Sequence, residues 1–573
     1  MERIERRMVK KKEQILIMLF CIFVVSVLWF LCWKYSPFVF QENDDEYLKR
    51  LVSGSETGVP ENRLLFVGVV LGTIMSSLYQ INCDFPWYSL IMIGSLFIST
   101  IIFLFILLDY LTGIMEKCIG LIIYFGFFYI FLVPQIINIQ FIVISSYMCG
   151  VGILLFCLGK GRKSYYILSL FTMFLALQIR KECVLMALPF VLLAWIMKYI
   201  SLKKHKSIWL WAIVGMIILI AGLFLENIAY GRGEWKEFAD FSVARSELYD
   251  YGMVPEFEKN RNMYQELNIS QKERDIVSDY NLMFADTIDA KALTRLAELH
   301  DRKPIREVFF IVIEKNLQGN NPLTSFIWLL YFAELILIIT TVKGKRDKIL
   351  MIAELLSIKA GSLCLWMYLV WGGRYPDRIM VSLYFLECIC VLSQFLMYKG
   401  YFSAKKIRMI TVGILCLGMI VICYRKGMPY INSLKNSISV RLEYSMAFNG
   451  LMEYIEKNKA NFYYIDIDVM NGGITEKVFN KDERILNQAF MGGWMVKSPW
   501  YERKFELYGL KGAEADLRKN YVYLIFKNRD SVAKKNLKTF LENKYSKVSF
   551  ITEDVIKTDQ EIVYEVVKAN VQE

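Results

Sequence analysis

Twelve apolar runs, at residues 15–33, 64–81, 87–108, 118–133, 137–158, 163–179, 184–200, 208–225, 324–342, 349–371, 379–398 and 408–424, constrain this chain more than any other feature. A run of about 18 or more apolar residues is long enough to cross the hydrocarbon core of a bilayer. Most of these runs reach or approach that length with few charges inside, so the sequence predicts an α-helical polytopic membrane protein with about 11–13 crossings. Composition points the same way: 55% of the 573 residues are hydrophobic and 22% are charged. A soluble domain is about 25% charged and about 45–50% apolar, a set that counts Gly. A soluble enzyme or a nucleic-acid-binding protein is excluded. The net charge of +12 comes largely from Lys and Arg in short loops between apolar runs, the pattern of a membrane protein with basic loops on one side.

Three polar regions remain, 35–63, 226–323 and 425–573. The middle one reads as mostly helical, for example Gln271–Asp279 and Ala290–His300. In the last, Phe462–Ile467, Tyr521–Phe526, Val548–Ile551 and Ile562–Val567 read as strands, with helices at about 442–458, 503–518 and 530–544. The expected organisation is a membrane domain over 1–424 and a small α/β domain over 425–573.

Lys and Arg set the expected orientation. Arg3, Arg6, Arg7, Lys10, Lys11 and Lys12 hold the N-terminus in the cytoplasm, and bulky residues at Trp29-Phe30-Leu31-Cys32-Trp33 argue for a retained anchor over a cleaved signal. The basic loops Lys198–Lys206, Lys343–Lys348 and Lys405–Arg408 are then cytoplasmic, which places loops 35–63, 226–323 and 372–378 and the C-terminal domain outside the plasma membrane. Four runs between residue 64 and the basic loop Gly159–Lys163 give the wrong parity, so one of them is expected to cross only partly. The pair 118–133 and 137–158, hinged at Val133-Pro134-Gln135, is the favoured place for that irregularity.

All twelve cysteines lie in or at the ends of apolar segments, which excludes a disulfide framework or a thiolate zinc site in the two long polar regions. His205 and His300 are the two histidines, too few for chemistry that needs a His cluster. Gly472-Gly473 is too sparse for a nucleotide phosphate loop.

Candidate chemistry gathers at the outer ends of helices. Asn43-Asp44-Asp45-Glu46 lies about ten residues past the first apolar run. Crowded carboxylates raise one another's pKa and can act as a general base or as oxygen ligands to a divalent cation; a solvated acidic turn starting a helix near Tyr47 is the structural alternative. Arg180-Lys181-Glu182 and Trp371-Gly-Gly-Arg-Tyr-Pro-Asp-Arg378 put Arg180, Lys181, Arg374 and Arg378 where a lipid phosphate would lie, and Arg recognises phosphate through a planar fork of donors. Local pairs, Arg180 with Glu182 or Asp377 with Arg374 or Arg378, are the alternative. Within the runs, Glu334, Glu354, Lys359 and Glu387 are costly in lipid and functional by default; Lys359 could pair with Glu334 or Glu387. Gly492-Gly-Trp494 and Ser498-Pro-Trp-Tyr501 could form an aromatic sugar platform or a turn packed on the domain's own core.

A short basic N-terminus, one helix, an outer acidic loop with Asp44-Asp45-Glu46 and then many helices resembles the GT-C superfamily of membrane glycosyltransferases. Asn43–Tyr47, Ser53-Gly54 through Gly58-Val59-Pro60, Leu78-Tyr79 before Pro86-Trp87-Tyr88, Ala244-Arg245-Ser246, Tyr249-Asp250-Tyr251 and Gly492-Gly493-Trp494 look like a group of bacterial envelope proteins of this type. The resemblance implies a polyprenyl-phosphate-linked sugar as donor and an envelope glycan or lipid as acceptor. It implies Asp44 or Asp45, with Glu46 beside them, as the catalytic base, and Arg180, Lys181, Arg374 and Arg378 around the lipid phosphate; no nucleotide or zinc is expected, and a divalent cation at Asp44 and Asp45 is left open. An envelope polysaccharide polymerase or ligase, a secondary transporter or lipid flippase, and a non-enzymatic assembly partner are the alternatives.

Overall fold

The computed structural model describes residues 2–159, 161–201, 207–318, 321–470, 474–481, 483–560 and 562–572. Lys160, Lys203, Lys204, His205, Lys206 and the Gly472-Gly473 pair lie outside them, and the side chains of Arg3, Arg6, Arg7 and Lys10 are likewise not described. In chain order the helices begin α1 (Glu2–Tyr35), α2 (Asn43–Ser53), α3 (Val69–Ile81), α4 (Trp87–Tyr110), α5 (Ile114–Phe127), α6 (Val133–Ile137), α7 (Phe141–Leu158), α8 (Lys163–Ile179), α9 (Lys181–Ser201), α10 (Ser207–Tyr230) and α11 (Gly233–Asp250). Helices Pro322–Thr341, Lys345–Trp371 and Asp377–Met397 follow, then a continuous rod over Lys405–Lys457. Among the described residues ten helices are long and apolar enough to cross a membrane. The protein is a multi-pass α-helical membrane protein.

Contacts sort the helix ends onto two faces. Gln14 donates to Asp109 (2.9 Å), Lys117 pairs with Glu13 (3.0 Å), Arg162 with Asp109 (3.1 Å) and Lys399 with Glu116 (2.9 Å). These bonds gather the starts of α1, α5 and α8 with the end of α4 on one face, the N-terminal face. On the opposite, distal face, strand β1 (Val39–Phe40) pairs in parallel with β2 (Asn138–Ile139), the Leu65 N–H donates to the Tyr230 hydroxyl (2.8 Å), and Arg378 pairs with Glu42 (2.7 Å). Loops 35–63, 226–323 and 372–378 and the C-terminal unit share that face.

The parity irregularity falls elsewhere than expected. Ile114–Ile137 runs unbroken through a π-helical turn at Phe128–Leu132, and α7 spans 18 residues. The run that does not cross is 64–81: its helix α3 has 13 residues, about 20 Å against a hydrocarbon core of about 30 Å, and both its ends bond distal groups, the Val69 N–H donating to Glu226 and the Tyr79 hydroxyl accepting from the Tyr88 N–H. Residues 64–68 of that apolar run are not helical: the Gly68 N–H bonds to the Gln178 carbonyl (2.6 Å) and Leu65 adopts φ +59°. Their hydrophobicity serves the packed distal cap. Hydropathy alone does not separate that from lipid contact.

α7 is the hub, buried along nearly its whole length. Gly150 sets its approach to helix Asp377–Met397, since a Cβ there would stand 2.3 Å from the Phe385 ring; small residues allow such close helix packing in membranes. The rod Lys405–Lys457 turns through a π-helical segment at Cys423–Gly427 and carries the chain out to the C-terminal unit. There β3 (Phe462–Ile465), β4 (Gln488–Phe490), β5 (Val522–Lys527), β6 (Lys547–Lys557) and β7 (Val563–Gln572) form one sheet of order β4-β3-β5-β7-β6. The pairs β3–β4 and β3–β5 are parallel; β5–β7 and β6–β7 are antiparallel. Helices Pro499–Leu507 and Ala513–Asp516 split the expected 503–518 helix, with Gly512 between them at φ +142°.

The C-terminal unit is bolted to the bundle. Lys504 and Glu56, both fully buried, pair at 2.5 Å, and Gln488 also donates to Glu56 (3.2 Å). Val39 bridges to Lys477, and Phe40 donates to the Glu476 carbonyl.

Candidate functional site

The acidic loop residues form the first turn of α2, where the positive end of the helix dipole favours Asp and Glu. Their side chains diverge. Asp45 is fully buried: it accepts from the Tyr88 hydroxyl at 2.9 Å and from the Phe141 N–H at 3.4 Å, tying α2 to the starts of α4 and α7. Burial pushes its carboxyl well above the usual range, the neighbouring Asp44 adds to this, and the two hydrogen bonds and Arg378 oppose it. Glu46 accepts from the Glu476 N–H (2.7 Å) and is raised to about 8 by burial and by the Glu476 carboxylate. Glu476 itself lies between Arg50 (2.5 Å) and Lys49 (3.5 Å), which hold it below its usual value. Of these two facing carboxyls, Glu46 takes the proton and Glu476 stays ionised. Glu46 therefore docks α2 on the C-terminal unit.

Asp44 is different. It is half-buried, and among the described residues no hydrogen bond or ion pair engages it, while Glu42, Asp45 and Glu46 are each engaged. It lies within electrostatic range of Asp45 and of Tyr280 in the distal loop. Both Asp45 oxygens thus accept from protein donors, while Asp44 is left open.

The basic candidates flank the start of α7. The Arg180 guanidinium stacks over the Phe66 ring (4.8 Å) and the Phe141 ring (5.6 Å), with its Nε on Glu182 (2.8 Å). Lys181 is half-buried and within electrostatic range of Glu226. Arg378, 15% exposed, bonds Glu42 through Nη1 while its buried Nε has no partner. A cavity of about 210 Å³ opens beside it, lined by Gln41, Asn138, Asp377, Tyr430 and Ser437 among others. Arg374 is spent differently: it pairs with Asp250 (2.8 Å), bonds Ser246 (3.2 Å) and stacks on Tyr251, fastening α11 to the 372–376 turn. The local pairs the sequence offered are thus Arg180 with Glu182, and for the other two arginines partners on distant segments.

The other singled-out motifs meet on this face. Arg245 bonds the Tyr280 hydroxyl, and Gly492 presses on the Tyr280 carbonyl so closely that a Cβ would stand 2.0 Å away. The half-exposed Trp494 packs on Phe66 (4.9 Å), the ring that also carries Arg180. Trp500 is buried against Trp235 (5.3 Å) and Phe238 (5.2 Å) of α11, and Tyr501 is buried within the unit, on Phe505 and the Phe490 N–H.

Sequence reasoning missed Arg441. From the rod it donates to the Gln41 carbonyl (2.8 Å) and to the Asn138 side chain (2.6 Å), clamping β1 to β2 at the cavity wall. Burial lowers its pKa. An Arg on the distal face of an otherwise helical polar stretch was the one signal available.

Within the bundle, Lys359 pairs with Glu387 (3.0 Å) and bonds Asn316 (2.9 Å), and Ser362 completes the group on Glu387 (2.5 Å). Glu334 is not part of it.

No family model matches the chain, and no curated protein matches it. Among solved structures it is similar to a crystal structure of ArnT from Cupriavidus metallidurans bound to undecaprenyl phosphate. That similarity covers 96% of this chain and 97% of the other, at 11% identity and a TM-score of 0.39.

Proposed function

We propose that the chain is a GT-C-type membrane glycosyltransferase, moving a sugar from a polyprenyl-phosphate donor to an envelope glycan or lipid acceptor. The reaction takes place at the distal face, which the Lys and Arg bias of the loops makes the outer face of the plasma membrane. The observation that carries this reading is Asp44: a carboxylate in the first turn of α2 that no described residue engages, next in sequence to Asp45, which accepts from the N–H that opens α7, and two residues after Glu42, which pairs with Arg378.

In this reading Asp44 accepts the proton of an acceptor hydroxyl as that oxygen attacks the anomeric carbon. The bond from that carbon to the lipid-phosphate oxygen breaks, and its electron pair leaves with the phosphate. Direct displacement opposite the leaving group inverts the anomeric centre. Arg378, which lines the cavity, and Arg180, through the Nη groups not bound to Glu182, meet the phosphate charge, with Lys181 nearby and the positive end of α7 adding to the field. Asp45, Glu46, Arg374 and Arg441 are positioning residues: they hold α2, the 372–376 turn and the cavity wall in register.

Mass spectrometry of envelope glycans and glycolipids from a deletion strain tests the reading. It predicts loss of one discrete sugar, restored by the wild-type gene. An unchanged glycan profile with an altered lipid-carrier or solute distribution would contradict it in favour of transport.

A further inference from the structure

The bundle holds a second buried acidic group that the proposed reaction does not use. Glu334, in helix Pro322–Thr341, is fully buried, and neither carboxylate oxygen has a hydrogen-bond partner. Glu354, in helix Lys345–Trp371, lies within electrostatic range of it; it accepts from the Tyr398 hydroxyl at 3.0 Å, and among the described residues its other oxygen is buried without a partner. One fully buried neighbour adds a free polar atom. Gln394 donates to the Met351 carbonyl (2.7 Å), three residues before Glu354, and among the described residues leaves its Oε1 free.

Among the described residues no Lys or Arg acts on either carboxylate. On the surrounding elements, Lys198 of α9 is held on the Cys157 carbonyl of α7 (2.5 Å). Lys359 is committed to Glu387. Among the described residues Tyr331, Tyr398 and the Cys157 thiol are the other titratable groups in range. Burying an unpaired carboxylate costs more than a bundle supplies, so such a group takes up positive charge.

The position allows exchange with one side. Glu334 stands seven residues before the end of its helix at Thr341, and Glu354 nine residues after the start of its own at Lys345. At about 1.5 Å per residue both lie some 10–14 Å from the N-terminal face, on the far side of the bundle from Asp44.

We propose that Glu334 and Glu354 together bind one exchangeable monovalent cation, a proton or an alkali-metal ion, taken from the N-terminal face. The inference does not depend on the glycosyltransferase reading. Its test uses the purified full chain in detergent. Thermal unfolding is followed in sodium chloride against choline chloride at fixed pH, and infrared difference spectra are recorded for the carbonyl stretch of a protonated buried carboxyl. A rise in unfolding temperature with sodium that Glu334→Gln abolishes assigns an alkali-metal site. No sodium effect, but a protonated-carboxyl band lost in Glu334→Gln, assigns a shared proton. If Glu334→Gln does not fold, Glu354→Gln carries the same comparison. Absence of both signals in the wild-type chain overturns the proposal.

Discussion

The Tyr88 hydroxyl donates to Asp45 at 2.9 Å, so the second acidic residue of the distal loop is fastened to the start of a membrane helix, while its neighbour Asp44 is left open. One residue along α2 turns the side chain by about 100°, and that rotation separates a buried tie from an accessible carboxylate.

Asp45→Ala removes the acceptor shared by Tyr88 and the Phe141 N–H and leaves both donors buried. A loss of about 1–3 kcal/mol is expected, against about 0.5 kcal/mol or less for Asp44→Ala, which breaks no contact. Thermal unfolding of the two variants in detergent checks this; equal losses contradict the division of roles.

Glu46 gives the chain a pH dependence. Burial raises its carboxyl to about 8, whereas the unfolded chain releases that proton near about 4.3. The folded state holds more protons across this window, so stability falls as pH rises through it, by up to about 1.4 kcal/mol per unit. Glu46→Gln flattens the curve between about pH 4 and about pH 8. Unfolding temperatures across that range for both chains decide it, and superimposable curves contradict the assignment.

Lys504→Met leaves Glu56 buried without its cation. Breaking one side of a buried pair costs about 3–5 kcal/mol, and the loss falls on the joint between the C-terminal unit and the bundle. Limited proteolysis is expected to release the C-terminal unit from the variant under conditions that leave the wild type intact.

Arg378→Ala removes the guanidinium that borders the 210 Å³ cavity. Hydrogen bonds to charged groups contribute about 1.5–3 kcal/mol, so affinity for a short-chain polyprenyl phosphate is expected to fall about ten- to hundredfold. Arg374→Ala, whose guanidinium is committed to Asp250, is expected to lower affinity far less. Titration by native mass spectrometry compares them.

Much of this architecture is legible in the chain because lipid enforces it. The helices Trp87–Tyr110, Asp377–Met397 and Lys405–Ile422 follow their apolar runs to within a few residues, since no other conformation satisfies the backbone in hydrocarbon. The strands Phe462–Ile465 and Val522–Lys527 follow from β-branched and aromatic clustering. What could not be read are features set by distant partners. Residues 64–68 are apolar yet cap the distal face. β4 is three residues long and exists by pairing with β3. The fates of Asp44 and Asp45, adjacent and chemically identical, are decided by Tyr88 and Phe141, and Arg374 and Arg378 by Asp250 and Glu42.

The central claim is that Asp44 is the base. The most direct measurement is the envelope glycan and glycolipid profile of a deletion strain complemented with Asp44→Asn, set beside Asp45→Asn and the wild type at matched protein levels. The account predicts that Asp44→Asn fails to restore the missing sugar, while Asp45→Asn, which keeps an acceptor for Tyr88, restores it at least in part. Full restoration by Asp44→Asn would contradict it.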